Sequence, residues 1–159
     1  MTILGIDPAL NTTGYAIISK NQNGTFHLVE SGVIKNKGTD DFPKKLLHLF
    51  EIIDHLCKLY KPSICGIEET FVNVNATSSL KLGAARGAII TSVAKNEVPI
   101  VEFSPNAVKK TVTGAGKAEK SQVEFMIQRL VSGVKPDLTS DEYDAIAIAF
   151  CASAFCAGI

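Results

Sequence analysis

The run Ile3-Leu4-Gly5-Ile6-Asp7-Pro8-Ala9-Leu10-Asn11-Thr12-Thr13-Gly14-Tyr15-Ala16-Ile17-Ile18 decides how this chain is read. Ile3 to Ile6 is a short apolar segment bounded by Pro8 and the polar Asn11 to Thr13 cluster, the pattern of a buried sheet strand rather than a helical turn. After a tight loop, Tyr15 to Ile18 reads as the return strand. Pro8 has no backbone N–H to extend the pairing, so the first strand delivers one carboxylate, Asp7, to its end. Rigid backbone holds an acid there with its oxygens in a crevice, which suits metal-assisted chemistry. An Asx turn with Asn11 or Thr12 suits the same residue, and this stretch alone does not choose between the two.

Working outward, Asn21-Gln22-Asn23-Gly24 is a hairpin turn and Phe26 to Ile34 a third strand, giving an antiparallel meander. Leu46, Leu49, Phe50, Ile53 and Leu56 then recur at helical spacing between Pro43 and Pro62. Ile64 to Ile67 is a second short buried strand that ends in acid, Glu68-Glu69. A crossover of that length between strands normally carries a helix and joins parallel neighbours, which predicts Asp7 and Glu68 side by side at one sheet end. From Ala76 to about Asn96 a helix rich in small residues is expected. Its Gly83 and Gly87 imply close packing, either on the sheet or on a second subunit. Val98 to Phe103 is the fifth strand, with Pro99 marking an edge. Residues 107–120 read as partly loop, centred on Thr113-Gly114-Ala115-Gly116. A helix follows from Ser121 to Leu130, with Ser121 and Glu124 as its capping box. Thr139 to Asp144 opens a nearly all-apolar helix, Ala145 to about Phe155. The expected architecture is α/β, a five-stranded mixed sheet with helices on both faces.

With 159 residues, 46% of them hydrophobic, and no linker in view, the chain is expected to form one domain, residues 1–159. Sixteen basic and sixteen acidic residues leave no net charge, so a polyanionic partner is neither required nor excluded by the total. Cys57, Cys65, Cys151 and Cys156 include no Cys-x-x-Cys pair and sit in apolar stretches, which predicts reduced thiols and no zinc site. Without a signal-peptide pattern or a run of membrane-spanning length, the expectation is a soluble, cytoplasmic protein with no membrane partner.

Asp141 and Asp144 are three residues apart at a helix start, so their carboxylates share a face. Acids in a first turn also simply complement the helix dipole, and Thr139 with Glu142 makes a capping box. Yet so apolar a helix must be buried against the sheet, carrying its first turn to a sheet end. If that end bears Asp7 and Glu68, four carboxylates converge, and their repulsion calls for hard divalent cations. Oxygen donors without a His or Cys cluster point to magnesium or manganese. Two such ions suit in-line phosphodiester hydrolysis, one activating water and one stabilising the leaving oxygen. Between Pro105 and Leu130, Lys109, Lys110, Lys117, Lys120 and Arg129 outnumber Glu119 and Glu124. That face suits a nucleic-acid backbone as well as it suits plain solvation. Phe71, in the loop after the second acidic strand, fits either a base-stacking role or the core.

Six ordered blocks carry a resemblance that spans nearly the whole chain. They are Gly5-Ile6-Asp7-Pro8 with Thr13-Gly14-Tyr15; Ile67-Glu68 with Phe71; Ser79 to Gly87; Val108 to Gly114; Ala118 to Val123; and Asp141-x-x-Asp144 with Ala145 to Ala149. Together they closely resemble the bacterial RuvC family of Holliday junction resolvases. The resemblance implies a ribonuclease H-like fold, a homodimer, and paired, symmetric nicking of four-way junction DNA in recombination and repair. It implies two Mg2+ ions per site, with Mn2+ able to substitute, and the RuvA-RuvB branch-migration complex as a partner. By matching motifs, the metal-binding catalytic acids fall on Asp7, Glu68, Asp141 and Asp144, the DNA-contacting lysines on Lys109 and Lys120, and the junction-facing aromatic on Phe71. Glu68 is preferred over Glu69 because it directly ends its strand, and Ala9 stands where the family usually has glycine.

Two other classes compete. A non-catalytic junction-binding module would keep the lysines but has no need of all four acids. A sugar-kinase-type ATPase also opens with Gly-Ile-Asp, but it needs a second such domain, for which 159 residues leave no room.

Overall fold

The computed structural model describes residues 1–69 and 75–156. Strands β1 (Thr2–Asp7), β2 (Thr12–Lys20) and β3 (Phe26–Lys35) form the expected meander, and helix α1 (Phe42–Tyr60) leads to β4 (Ile64–Glu68). Helix α2 (Ala76–Lys95), β5 (Ile100–Phe103), α3 (Pro105–Thr113) and α4 (Lys120–Leu130) follow, then β6 (Val131–Ser132), α5 (Ser140–Ala152) and a 3-10 turn, Ser153–Cys156. The sheet order is β5-β4-β1-β2-β3-β6. β1 runs antiparallel to β2 and parallel to β4, so the two acid-bearing strands are neighbours pointing the same way. Among the described residues no helix is long and apolar enough to cross a membrane.

Three sequence expectations change. The sheet has six strands, not five, because Val131 and Ser132 pair with Phe26 and His27 at the β3 edge. A two-residue strand is too short to show periodicity. The stretch 107–120, read as partly loop, is loop over 114–119 but helical over 107–113, since Ser104 caps α3 by accepting from Ala107 N at 3.2 Å and Pro105 takes the first helical position. Helix α4 starts at Lys120 and is capped by Glu119 with Gln122, not by Ser121 with Glu124. The capping box of Thr139 with Glu142 is present as read, and β5 lies on a sheet edge as Pro99 implied.

Strand alternation sorts the core into two layers. On one face, Leu4, Ile6, Ile17, Cys65 and Ile67 pack with Leu49 and Ile53 of α1 and Ile89 of α2. On the other, Ile3, Ala16, Ile18 and Ile64 pack with Val108 of α3, Ile127 of α4 and Ile146 of α5. By the same parity Gly5 and Asp7 of β1, Gly14 of β2, and Gly66 and Glu68 of β4 belong to the α5 face. Gly5 pairs with Gly66 on one side and Ala16 on the other, and Asp7 pairs with Gly14. This leaves a nearly flat floor with two carboxylates at its end. Helix α5 lies directly on it: a Cβ on Gly5 would stand 2.1 Å from Ala145 O, and one on Gly66 2.9 Å from Ile148 O. Only glycine permits so close an approach. Burial on every side past its first turn explains the apolar run Ala145 to Ala149 of α5, all five of which are fully buried.

Candidate active site

Helix α5 brings its first turn to the acidic end of the sheet. Asp141 sits over Gly14, the β2 partner of Asp7, and Asp144 follows one turn on, near Glu68. Glu142, between them, points elsewhere: it caps the helix through Thr139 and accepts from Ser31 Oγ at 2.8 Å. Burial opposes its charge, but those hydrogen bonds outweigh it and hold the carboxyl below its ordinary range. The acids of this turn thus divide into one structural tie and two that face the sheet end.

Asp7 is the most perturbed of the set. Burial, followed by the charges of Glu68, Asp144 and Asp141, pushes its carboxyl up to about 7, against the opposing pull of Lys120. Glu68 is raised as well, chiefly by burial and then by Asp144, with Lys120 and Lys109 opposing. The four acids expected from sequence therefore lie at one end of the sheet, the other three close enough for Asp7 to feel their charge. Glu69 lies one residue past the end of β4, with its backbone N–H donating to Phe103 O at 2.8 Å, and Glu68 is the acid of the pair that lines the cleft.

Two lysines close the arrangement. Lys120, the first residue of α4, places Nζ 2.8 Å from Asp144 Oδ2. Burial works against its charge, but the hydrogen bond and the surrounding carboxylates prevail and raise its pKa. Lys109 of α3 lines the same cleft of about 230 Å3, together with Glu68, Lys120, Asp144 and the apolar walls Val108, Val123 and Ala147. Phe71, the expected junction-facing aromatic, lies outside the described residues.

The donor set fits a hard divalent cation. Four oxygen-bearing acids crowd together, and after burial their repulsion is what pushes Asp7 upward, an excess of negative charge that such an ion relieves. As the side chains stand, no group of three or more His, Cys, Asp or Glu among the described residues is drawn in tightly enough to hold an ion. The ammonium of Lys120 compensates Asp144 instead. Sequence reasoning overlooked the glycine floor, although the signal was present. Gly5 and Gly66 each stand two residues before an acid, the spacing that puts them on its face of the sheet.

A mixed sheet with helices on both faces and a carboxylate cluster where β1 and β4 end defines an α/β domain of the ribonuclease H-like class. The profile of the "Crossover junction endodeoxyribonuclease RuvC" family matches residues 3–152. A protein of that name from Rickettsia bellii is 45% identical over 150 residues, covering 94% of this chain and 95% of its own. Among solved structures, Thermus thermophilus RuvC superposes with a TM-score of 0.89 at 23% identity, covering 98% of this chain and 95% of that one. T. thermophilus RuvC in complex with Holliday junction substrate gives 0.88 at 20% identity, with the same coverage. The chain belongs to the RuvC family of crossover junction endodeoxyribonucleases, which are metal-dependent nucleases.

Proposed function

We propose that this chain is a single nuclease domain that resolves four-way DNA junctions by metal-dependent phosphodiester hydrolysis, with Asp7, Glu68, Asp141 and Asp144 as its catalytic acids. The observation that carries the reading is the meeting of these acids with Lys109 and Lys120 at one end of the sheet. Asp7 and Glu68 are held by neighbouring parallel strands, and Asp141 and Asp144 by a helix seated on glycine. Their oxygens are thus positioned by backbone rather than by flexible loops. When bound, magnesium or manganese supplies charge neutralisation at the scissile phosphate and activation of the attacking water. Around it, the acids orient the donor oxygens, Val108 and Val123 bound the cleft, and Lys109 and Lys120 present positive charge to the phosphate.

Paired nicking requires two sites, and the outer face of α2 supports a second protomer. Leu80 is 76% exposed, and a Cβ at Gly83 or Gly87 would meet no atom within 4 Å. These glycines therefore do not serve close packing on the chain's own sheet. A stripe of Leu80, Gly83 and Gly87 on one helix face is suited to another copy. Four-way DNA, a homodimer and a branch-migration motor of the RuvA-RuvB type make up the proposed partner set.

A synthetic four-way junction, incubated with magnesium and then with chelator, tests the reading. Symmetric nicks that require the metal are expected. Binding without nicking under every divalent ion would instead favour a junction-binding module.

A further inference from the structure

The carboxylate cluster occupies the α5 face of the sheet, but the loop that leaves Asp7 leads to the other face. Ala9, Leu10, Asn11 and Thr12 form one wall of a cleft of about 330 Å3 whose opposite wall is Ser78, Lys81 and Leu82 of α2. Asn11 is four residues from Asp7, so the cleft begins no more than about 14 Å from the site, roughly four nucleotides along a strand.

Three features suit this cleft to phosphate. First, the carbonyls of its loop wall are already engaged. Ala9 O accepts from Thr13 Oγ1 at 2.5 Å, Leu10 O from Asn36 Nδ2 at 2.6 Å, and Asn11 O from Asn36 N at 3.0 Å. The oxygens that would repel an anion are turned into the protein. Second, the charge on the cleft is positive. Lys81 lines it with no carboxylate partner among the described residues, and Lys45 of α1 brings its ammonium to the rim, donating to Asn11 Oδ1 at 2.9 Å. No Asp or Glu lines it. Third, the wall is braced. Asn36 also donates to Lys45 O at 3.2 Å and contacts His48 Nδ1 at 2.7 Å, tying the loop to α1. A braced wall holds its shape on binding.

We infer that this cleft is a second site for the DNA backbone, in which Lys45 and Lys81 hold phosphates a few nucleotides from the scissile one. It rests on the nuclease reading above. The sheet end then carries basic groups on both sides of the carboxylates: Lys109 and Lys120 over the α5 face, Lys45 and Lys81 over the α1 and α2 face. A strand crossing the sheet end is gripped on either side of the cut.

The test measures binding of a four-way junction as a function of salt in an Asp7→Asn background, which keeps all the lysines. Each phosphate contact contributes about 0.9 to the log-log slope. Lys45→Gln with Lys81→Gln is expected to lower the slope by about 1.8, and Lys81→Arg to keep it. Lys58→Gln, a lysine paired with Asp54 near the far end of α1, should leave it unchanged. An unchanged slope in the double variant, while its background still binds, overturns the second site alone. A double variant with an altered solution mass overturns it too, since the cleft then belongs to a subunit contact. If the background variant and the unsubstituted chain both fail to bind junctions, the nuclease reading falls and takes this one with it.

Discussion

Gly14 lies directly beneath Asp141: a Cβ at Gly14 would stand 2.2 Å from the Asp141 carbonyl oxygen and 2.7 Å from its carbonyl carbon. Because Gly14 is also the sheet partner of Asp7, this one contact sets the height of the α5 carboxylates above the β1 carboxylate. Gly14→Ala is expected to lift the first turn of α5. The overpacking should cost about 1–3 kcal/mol in stability and a larger share of nicking, because misplacing catalytic groups by an ångström costs roughly a hundredfold. Denaturant melts and single-turnover nicking check the pair of effects. Normal nicking with normal stability would show that α5 is not seated on this glycine.

Asp7→Asn is expected to abolish nicking while keeping junction affinity, since it removes one charge of the proposed metal site and leaves the lysines in place. The same variant has a stability signature in chelator. Asp7 in the folded chain titrates at about 7, above its ordinary 3.8. An acid with a raised folded pKa contributes stability below its unfolded pKa and loses it as pH rises through the folded value. The parent should therefore lose up to about 4 kcal/mol between pH 4 and pH 8 through this group, and Asp7→Asn should lose less. Near pH 4 the two should melt alike, and at pH 8 the variant should be more stable. Adding a divalent ion should narrow the gap at pH 8. Parallel melting curves across the range would remove Asp7 from the repelling cluster.

Lys120 stands between two tasks, neutralising Asp144 at 2.8 Å and facing the cleft. Lys120→Ala is expected to lower the salt slope of junction binding by about one and to slow single-turnover nicking. A lost rate with retained binding would place the ammonium at the scissile phosphate. If affinity, slope and rate were all unchanged, Lys120 would have no role beyond surface charge.

Gly83→Arg on the outer face of α2 is expected to leave the fold intact, because the new side chain enters open space. It should shift sedimentation toward the monomer, and paired nicks should become single ones. A dimeric mass with paired nicks would move the subunit contact away from α2.

Much of this was legible in the chain itself. The strands with Asp7 and Glu68 showed as apolar runs ending in acid, and the parallel crossover implied that they are neighbours. The pair Asp141 and Asp144 followed from helical spacing, and Thr139 with Glu142 from the capping pattern. These features are local, set by periodicities of two and 3.6 residues and by short-range hydrogen bonding. The helical stretch after Ser104 was also local, but the nearby glycines masked its cap.

What only the tertiary structure decided is how those pieces meet. The sequence could not say that Lys120 reaches Asp144, twenty-four residues on, or that Glu142 turns away to Ser31, more than a hundred residues back. Nor could it say that Gly83 and Gly87 face open space while Gly5, Gly14 and Gly66 carry α5. A glycine reads the same in any helix or strand. Whether its missing side chain admits a neighbouring backbone or merely exposes a surface depends on what the fold packs over it, which the local pattern does not encode.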